Sequence, residues 1–132
     1  MNTAGERWLE FAHQDLQMAE LAFKEGIYNQ VCFHSHQCVE KCLKAELASL
    51  SGNPPRIHSI VDLLGLLPPE YLADLRGELE QIDIYYIPTR YPDALPGSLP
   101  TGLPGKDDAE VALSVARACW QQVSGGNEGN RR

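Results

Sequence analysis

Residues Val31 to Leu47, reading VCFHSHQCVEKCLKAEL, constrain the fold more than any other stretch of this chain. On a helical wheel at about 100° per residue, Cys32, Val39, Leu43, Leu47 and Leu50 share one side, flanked by Val31, Cys38, Cys42, Ala45 and Ser49. Roughly half the circumference is then apolar or small, wider than the stripe of a helix with a single packed face. Such a helix needs neighbours on more than one side, which predicts the central helix of a bundle. Gln37, Lys41 and Lys44 lie opposite, with Glu40 at the border.

The rest of the chain supplies the neighbours. Trp8, Phe11, Ala12, Leu16, Ala19, Ala22 and Phe23 recur mostly at three- and four-residue steps, predicting a first helix from Thr3 to Lys24. Thr3 and Glu6 have the form of a capping box. The short link at Gly26 favours antiparallel packing against a second helix running from Tyr28 to Leu50. SGNPPR breaks that helix, and Ser59 to Leu67 reads as one or two apolar turns. Pro68 and Pro69 suit the first turn of another helix, which Leu72, Leu75, Leu79, Ile82 and Tyr86 would give a buried seam. Prolines at 88, 92, 96, 100 and 104 exclude a helix between Pro88 and Gly105. The final helix starts near Lys106, with Asp107, Asp108 and Glu110 placed favourably for its dipole. The expected fold is all-α, an up-and-down bundle of four main helices plus one short one, forming a single domain over residues 1–124. Residues 125–132, rich in Gly and Asn, are expected to form a disordered tail.

Charge and cysteine usage narrow the function classes. A formal net charge of −7 argues against broad nucleic-acid binding, which draws on many cation–phosphate contacts. No stretch approaches the roughly 18 apolar residues of a membrane span, and MNTAGERWLEF lacks the pattern of a secretory signal, so a cytoplasmic address is expected. Cys38 and Cys42 are one turn apart, as are Cys32 and His36, but the three cysteines fall on the apolar arc and no CxxC occurs. They read as small buried side chains rather than metal ligands. No phosphate-cradling glycine loop or nucleophilic triad is present either, so no cofactor is expected.

Four segments resemble one family. Trp8, Ala12, Asp15, Leu16 and Ala19 resemble the W…A…DL..A opening of HEPN domains (higher eukaryotes and prokaryotes nucleotide-binding). HSHQCVEKCLKAEL resembles the FHAQQAVEKALKALL signature of their second helix, and His58 with Ile60, Leu63 and Leu64 is similar to their H-x-L-x-x-L segment. Tyr86 to Asp93 resembles their Y..TRYPD segment. The resemblance spans Trp8 to Trp120 and implies an all-α bundle that forms homodimers. It further implies a small nucleotidyltransferase as partner, often in toxin–antitoxin pairs. Some branches are metal-independent ribonucleases that use an arginine and a histidine separated by four to six residues, and others bind nucleotides or other ligands.

The ribonuclease pair is where this sequence departs: no histidine follows Arg90. Arg7 and His13 have the spacing, but six steps of about 100° place them on separate faces of one helix, so no catalytic residue is assigned. His36 reads as a core histidine, with a polar pocket shared with Glu46 as the alternative. Gln37, Glu40, Lys41 and Lys44 read either as a solvated face with a Glu40–Lys44 ion pair or as the wall of a cleft. In that cleft Glu40 and Lys44 would meet Arg90, Tyr91 and Asp93 and bind a nucleotide, Arg90 forking onto phosphate and Tyr91 stacking on the base. The RYPD segment reads equally as a structural latch. His58 is expected to cap a helix end. The expected function is that of a non-catalytic, dimeric nucleotide-binding or nucleotidyltransferase-partner protein, with an RNA-cleaving toxin as the alternative. The homodimer interface is expected on the Leu72–Tyr86 seam with Trp8 or Trp120.

Overall fold

The computed structural model of the chain describes residues 1–86 and 102–130, with side chains through 125. Arg90, Tyr91 and Asp93, and most of the proline-rich stretch, therefore lie outside the described residues. Helix α1 spans Thr3–Lys24, α2 Tyr28–Ser51, α3 Ile60–Gly65, α4 Arg76–Gln81 and α5 Lys106–Asn130, and a 3-10 turn at Ile82–Tyr85 extends α4. The all-α bundle expected from periodicity is what the chain forms, and no strand occurs among the described residues. No helix there is long and apolar enough to cross a membrane.

Helix α2 is the centre. Thirteen of its 24 residues are buried, so it is enclosed by α1, α5, α3 and the 3-10 turn rather than packed on one side. Leu50 is the exception on its apolar arc, left exposed in the last turn. Helix α1 buries one narrow stripe, Gly5, Leu9, Ala12, Leu16 and Ala19, at alternating four- and three-residue steps. Its cap is Asn2 rather than Thr3: the Asn2 side chain accepts from the Gly5 N–H at 2.8 Å and its amide donates to the Ala48 carbonyl at 3.1 Å. The small side chain at Gly5 is required, because a Cβ there would lie 2.9 Å from the Ala45 carbonyl oxygen and 2.5 Å from Ser49 Oγ. Helix α2 ends at Gly52, whose φ of 88° suits a residue without a Cβ.

The cysteines pack as expected. Cys32, Cys38, Cys42 and Cys119 are free and fully buried. Contact with the Cys119 and Cys38 thiols, together with burial, pushes the Cys42 thiol well above its ordinary range, and burial pushes Cys32 up to about 12. Both of these thiols are poor nucleophiles near neutral pH.

Two elements differ from the sequence reading. The helix expected from Pro68 begins only at Arg76. Residues 68–75 form successive turns instead, with Leu72 in the left-handed region at φ 51°. Arg76 stabilises them, donating to the carbonyls of Tyr71 (3.0 Å), Leu64 (3.2 Å) and Pro68 (2.6 Å). These three bonds satisfy carbonyls that a helix would have used internally. The seam residues Leu72, Leu75, Leu79 and Ile82 consequently turn into the protein's own core. Of the patch expected to form an interface, these four side chains are therefore not at the surface, while Tyr86, Trp8 and Trp120 are partly buried. Helix α5 continues to Asn130, past Ser124 where the sequence periodicity stops.

Candidate functional site

Helix α2 carries His36, Glu40 and Lys44 at successive four-residue steps, and all three are buried. Glu40 and Lys44 are paired, as the sequence suggested, with Lys44 Nζ donating to Glu40 Oε2 at 2.8 Å. The face is not solvated, however: Glu40 is 3% exposed and Lys44 5%. Helix α1 and the loop after α2 cover it. A buried carboxylate requires partners, and Glu40 Oε2 has a second one in His58, whose Nδ1 donates at 3.1 Å. His58 therefore does not cap a helix. That role falls to Ser59, whose Oγ accepts from the Asp62 N–H, and to Asp83.

Asp83 joins three elements. Its Oδ1 accepts from His36 Nε2 and from the Ile60 N–H, both at 2.9 Å. Its Oδ2 accepts from Ser59 Oγ at 2.8 Å and the Val61 N–H at 3.2 Å. Burial opposes ionisation of this carboxyl, yet the bonds from His36, Ile60, Val61 and Ser59 outweigh it and hold the pKa at about 2. His36 is thus the expected core histidine, fully buried, although its partner is Asp83 rather than Glu46. Glu46 instead accepts a long bond from the Tyr71 hydroxyl. The Tyr86 ring stacks with both His36 (5.6 Å between centroids) and His58 (5.3 Å). Two His–carboxylate pairs therefore flank one tyrosine.

Lys44 and His58, both bonded to Glu40 beneath them, line a groove of about 520 Å³. Arg7, Trp8 and Phe11 of α1 line one wall, Arg56 and His58 of the 52–58 loop the other, and Lys44 the base. Trp8 and Phe11 meet edge-to-face at 6.5 Å, and Lys44 Nζ lies 5.5 Å from the Trp8 ring centre, a cation–π distance. Arg7 and Arg56 have no carboxylate partner among the described residues. A second concavity of about 790 Å³ lies between α2, the 68–72 turns and α5, but its charged lining is Glu46 and Glu70. Of the two, the smaller groove gathers cations and aromatic faces. Cations beside aromatic faces are chemically suited to an anion bearing an aromatic ring.

Of the five sequence candidates, Glu40 and Lys44 are brought together here, Lys44 at the base and Glu40 beneath it. Arg90, Tyr91 and Asp93 lie outside the described residues. Arg7, Trp8, Arg56 and His58 form a group that sequence reasoning does not assemble. The available signal was the order Arg56-Ile57-His58 after two prolines, since alternate residues of an extended segment point the same way. Arg7 and His13 are separated as expected: His13 packs against Trp120, 4.9 Å between ring centres, away from the groove. Elsewhere on the α1–α2 contact, Asp15 ties the two helices by accepting from His34 Nδ1 (2.9 Å) and from Lys41. Burial raises its pKa, but those two bonds prevail and lower it.

Comparison with known proteins gives a consistent result. The HEPN domain family matches residues 5–125. A Methanocaldococcus jannaschii protein that carries the name "Putative toxin MJ1304" is 30% identical over 120 residues, covering 83% of this chain and 78% of that protein. The crystal structure of TT1696 from Thermus thermophilus superimposes with a TM-score of 0.73 at 36% identity, covering 94% of this chain and 98% of that one. That of ST0689, an archaeal HEPN homologue, gives 0.71 at 33% identity, covering 96% and 98%.

The Asp83 junction predicts a definite pH dependence. Its folded pKa of about 2 lies below the ordinary 3.8, so its ionised form stabilises the fold above about pH 4. That contribution, roughly 2 kcal/mol, fades as pH falls through 2. Urea unfolding of the parent and Asp83→Asn should therefore differ at pH 7 and converge toward pH 2. Equal stability at pH 7 would remove Asp83 from this role.

Proposed function

We propose that this chain, which belongs to the HEPN domain family, is a non-catalytic module that binds a nucleotide in the groove between α1, Lys44 and the 52–58 loop. The observation that carries this is the convergence of Arg7, Arg56, Lys44 and His58 on Trp8 and Phe11, in a chain whose net charge is −7. The guanidinium forks suit phosphate oxygens, and the indole face offers a stacking surface for any base. The volume of about 520 Å³ falls in the range of ordinary small-molecule sites, roughly 300–1,000 Å³. Glu40 balances Lys44 while the site is empty. Arg90, Tyr91 and Asp93 carry no part of this reading.

Titration calorimetry with adenosine 5′-triphosphate tests it. Arg7→Ala and Arg56→Ala should each weaken binding about tenfold, as loss of a charge-assisted bond does, and Trp8→Ala by a similar or larger factor. Parent-like binding by all three folded variants would contradict the groove assignment.

A toxin that cleaves RNA is the second reading, favoured by the name of the Methanocaldococcus relative. Against it stands the missing arginine–histidine motif: no histidine follows Arg90 in the sequence, so the acid–base pair of the catalytic branches has no counterpart at that spacing. Purified protein should not cleave RNA above background. Cleavage that persists through purification and disappears in Arg90→Ala would establish the toxin reading instead.

Assembly belongs to the same proposal. Met18 and Leu21 are exposed on α1 beyond the groove, apolar surface suited to a second copy. Light scattering should give about twice 14.6 kDa, and a monomer at micromolar concentration would contradict a homodimer. Pairing with a minimal nucleotidyltransferase, which the family resemblance implies, is tested by whether the two proteins co-purify.

A further inference from the structure

The groove contains one titratable ring whose hydrogen bonding is half used. His58 donates Nδ1–H to Glu40 Oε2 at 3.1 Å. An ionised carboxylate only accepts, so the neutral ring keeps its proton on Nδ1, and Nε2 is the nitrogen that gains or loses one. Glu40 is buried, which turns the Nδ1 side of the ring inward, while the His58 side chain as a whole is 52% exposed. Nε2 has no partner among the described residues. Stacking on Tyr86, with 28° between the planes, fixes the orientation of the ring. Among the described residues, the charged groups bonded to it or lining the groove with it are Glu40 and Lys44 from α2, Arg7 from α1 and Arg56 from its own loop. Beyond Tyr86, His36 is already bonded to Asp83.

We propose that His58 determines the ligand class of this groove: it selects a nucleotide ending in a phosphate monoester over a phosphodiester, by sharing a proton between Nε2 and the terminal phosphate. The inference rests on the nucleotide reading given above. A monoester carries a charge of about −1.5 to −2 at pH 7 and has a second pKa near 6, whereas a diester carries a single charge and does not titrate in this range. Arg7, Arg56 and Lys44 supply fixed charge to either ligand. Only the monoester has the additional charge that draws a proton onto Nε2 and makes a charge-assisted N–H···O bond there.

The proton balance is explicit. Where the free ring is neutral and the phosphate dianionic, one proton is taken from solvent on binding. Where the ring and the phosphate both hold a proton beforehand, one is released. The complex contains one proton between Nε2 and the phosphate oxygen in both cases. Affinity for a monoester therefore passes through a maximum between these limits. For a diester it rises as pH falls and then levels off.

Calorimetry with adenosine 5′-monophosphate and with its methyl ester, a diester of the same nucleoside, tests this directly. Titrations would run from about pH 5.5 to 8.5, each in two buffers of different ionisation heat so that protons taken up are counted. The monoester should bind about tenfold more tightly near pH 6.5 and take up a proton at about pH 8. His58→Gln, which keeps an N–H donor for Glu40 but cannot titrate, should bind both ligands about equally without proton uptake. Equal binding of the two ligands by the parent would overturn the proposal, as would a variant that retains preference and uptake. The parent's own proton count decides the matter even if the variant fails to fold. Binding of both ligands without preference removes this inference alone, and binding of neither removes the nucleotide reading with it.

Discussion

The Asp83 carboxylate is the interaction on which the functional half of the molecule depends. It sits where α2, the start of α3 and the 3-10 turn meet, and each of its oxygens accepts two hydrogen bonds. A short helix such as α3 is marginal by itself, and its first N–H groups would be unsatisfied without a partner. Asp83 supplies that partner and fixes where α3 begins. His58 immediately precedes Ser59, so the same carboxylate sets the end of the 52–58 loop against α2. Tyr86, three residues after Asp83, packs between His36 and His58. The wall of the groove is therefore positioned from behind, by a carboxylate that does not line the groove.

Charge is distributed by the same logic. The chain is acidic overall, yet Arg7, Lys44, Arg56 and His58 gather where α1 crosses the C-terminal half of α2. Glu40 is essential to this arrangement, because a buried Lys44 without a counter-charge would be strongly destabilising. One carboxylate oxygen accepts from both Lys44 and His58, holding two basic side chains at the groove while its own charge stays beneath. Glu40 Oε1 and His36 Nδ1 are buried without a partner among the described residues.

The parts of the fold legible in the sequence are those written in periodicity. The single stripe of α1 and the broad arc of α2 give both helices their extents and identify α2 as central, since burial on several sides is what so many apolar and small residues require. The region from Pro68 escapes such a reading because Arg76 acts through three backbone carbonyls and Leu72 through its φ angle, neither of which leaves a periodic trace. The Glu40–Lys44 pair follows from helical spacing, but its burial does not, because i,i+4 pairing is the same on a wet face as on a covered one. Arg7, Trp8 and Arg56 converge only through packing of α1 and the loop across α2. Trp8 in particular reads as a core residue at its position in the stripe, and only the structure leaves part of its ring facing the groove.

Trp8 also provides the most direct test of ligand binding in the groove. The chain has two tryptophans: Trp8 lines the groove and Trp120, on α5, packs against His13. Their indole N–H signals in a proton–nitrogen correlation spectrum report the two locations independently within one titration. Addition of adenosine 5′-monophosphate should shift the Trp8 signal saturably and leave that of Trp120 in place. A saturable shift confined to Trp120, or none at either indole, would contradict the groove as the nucleotide site.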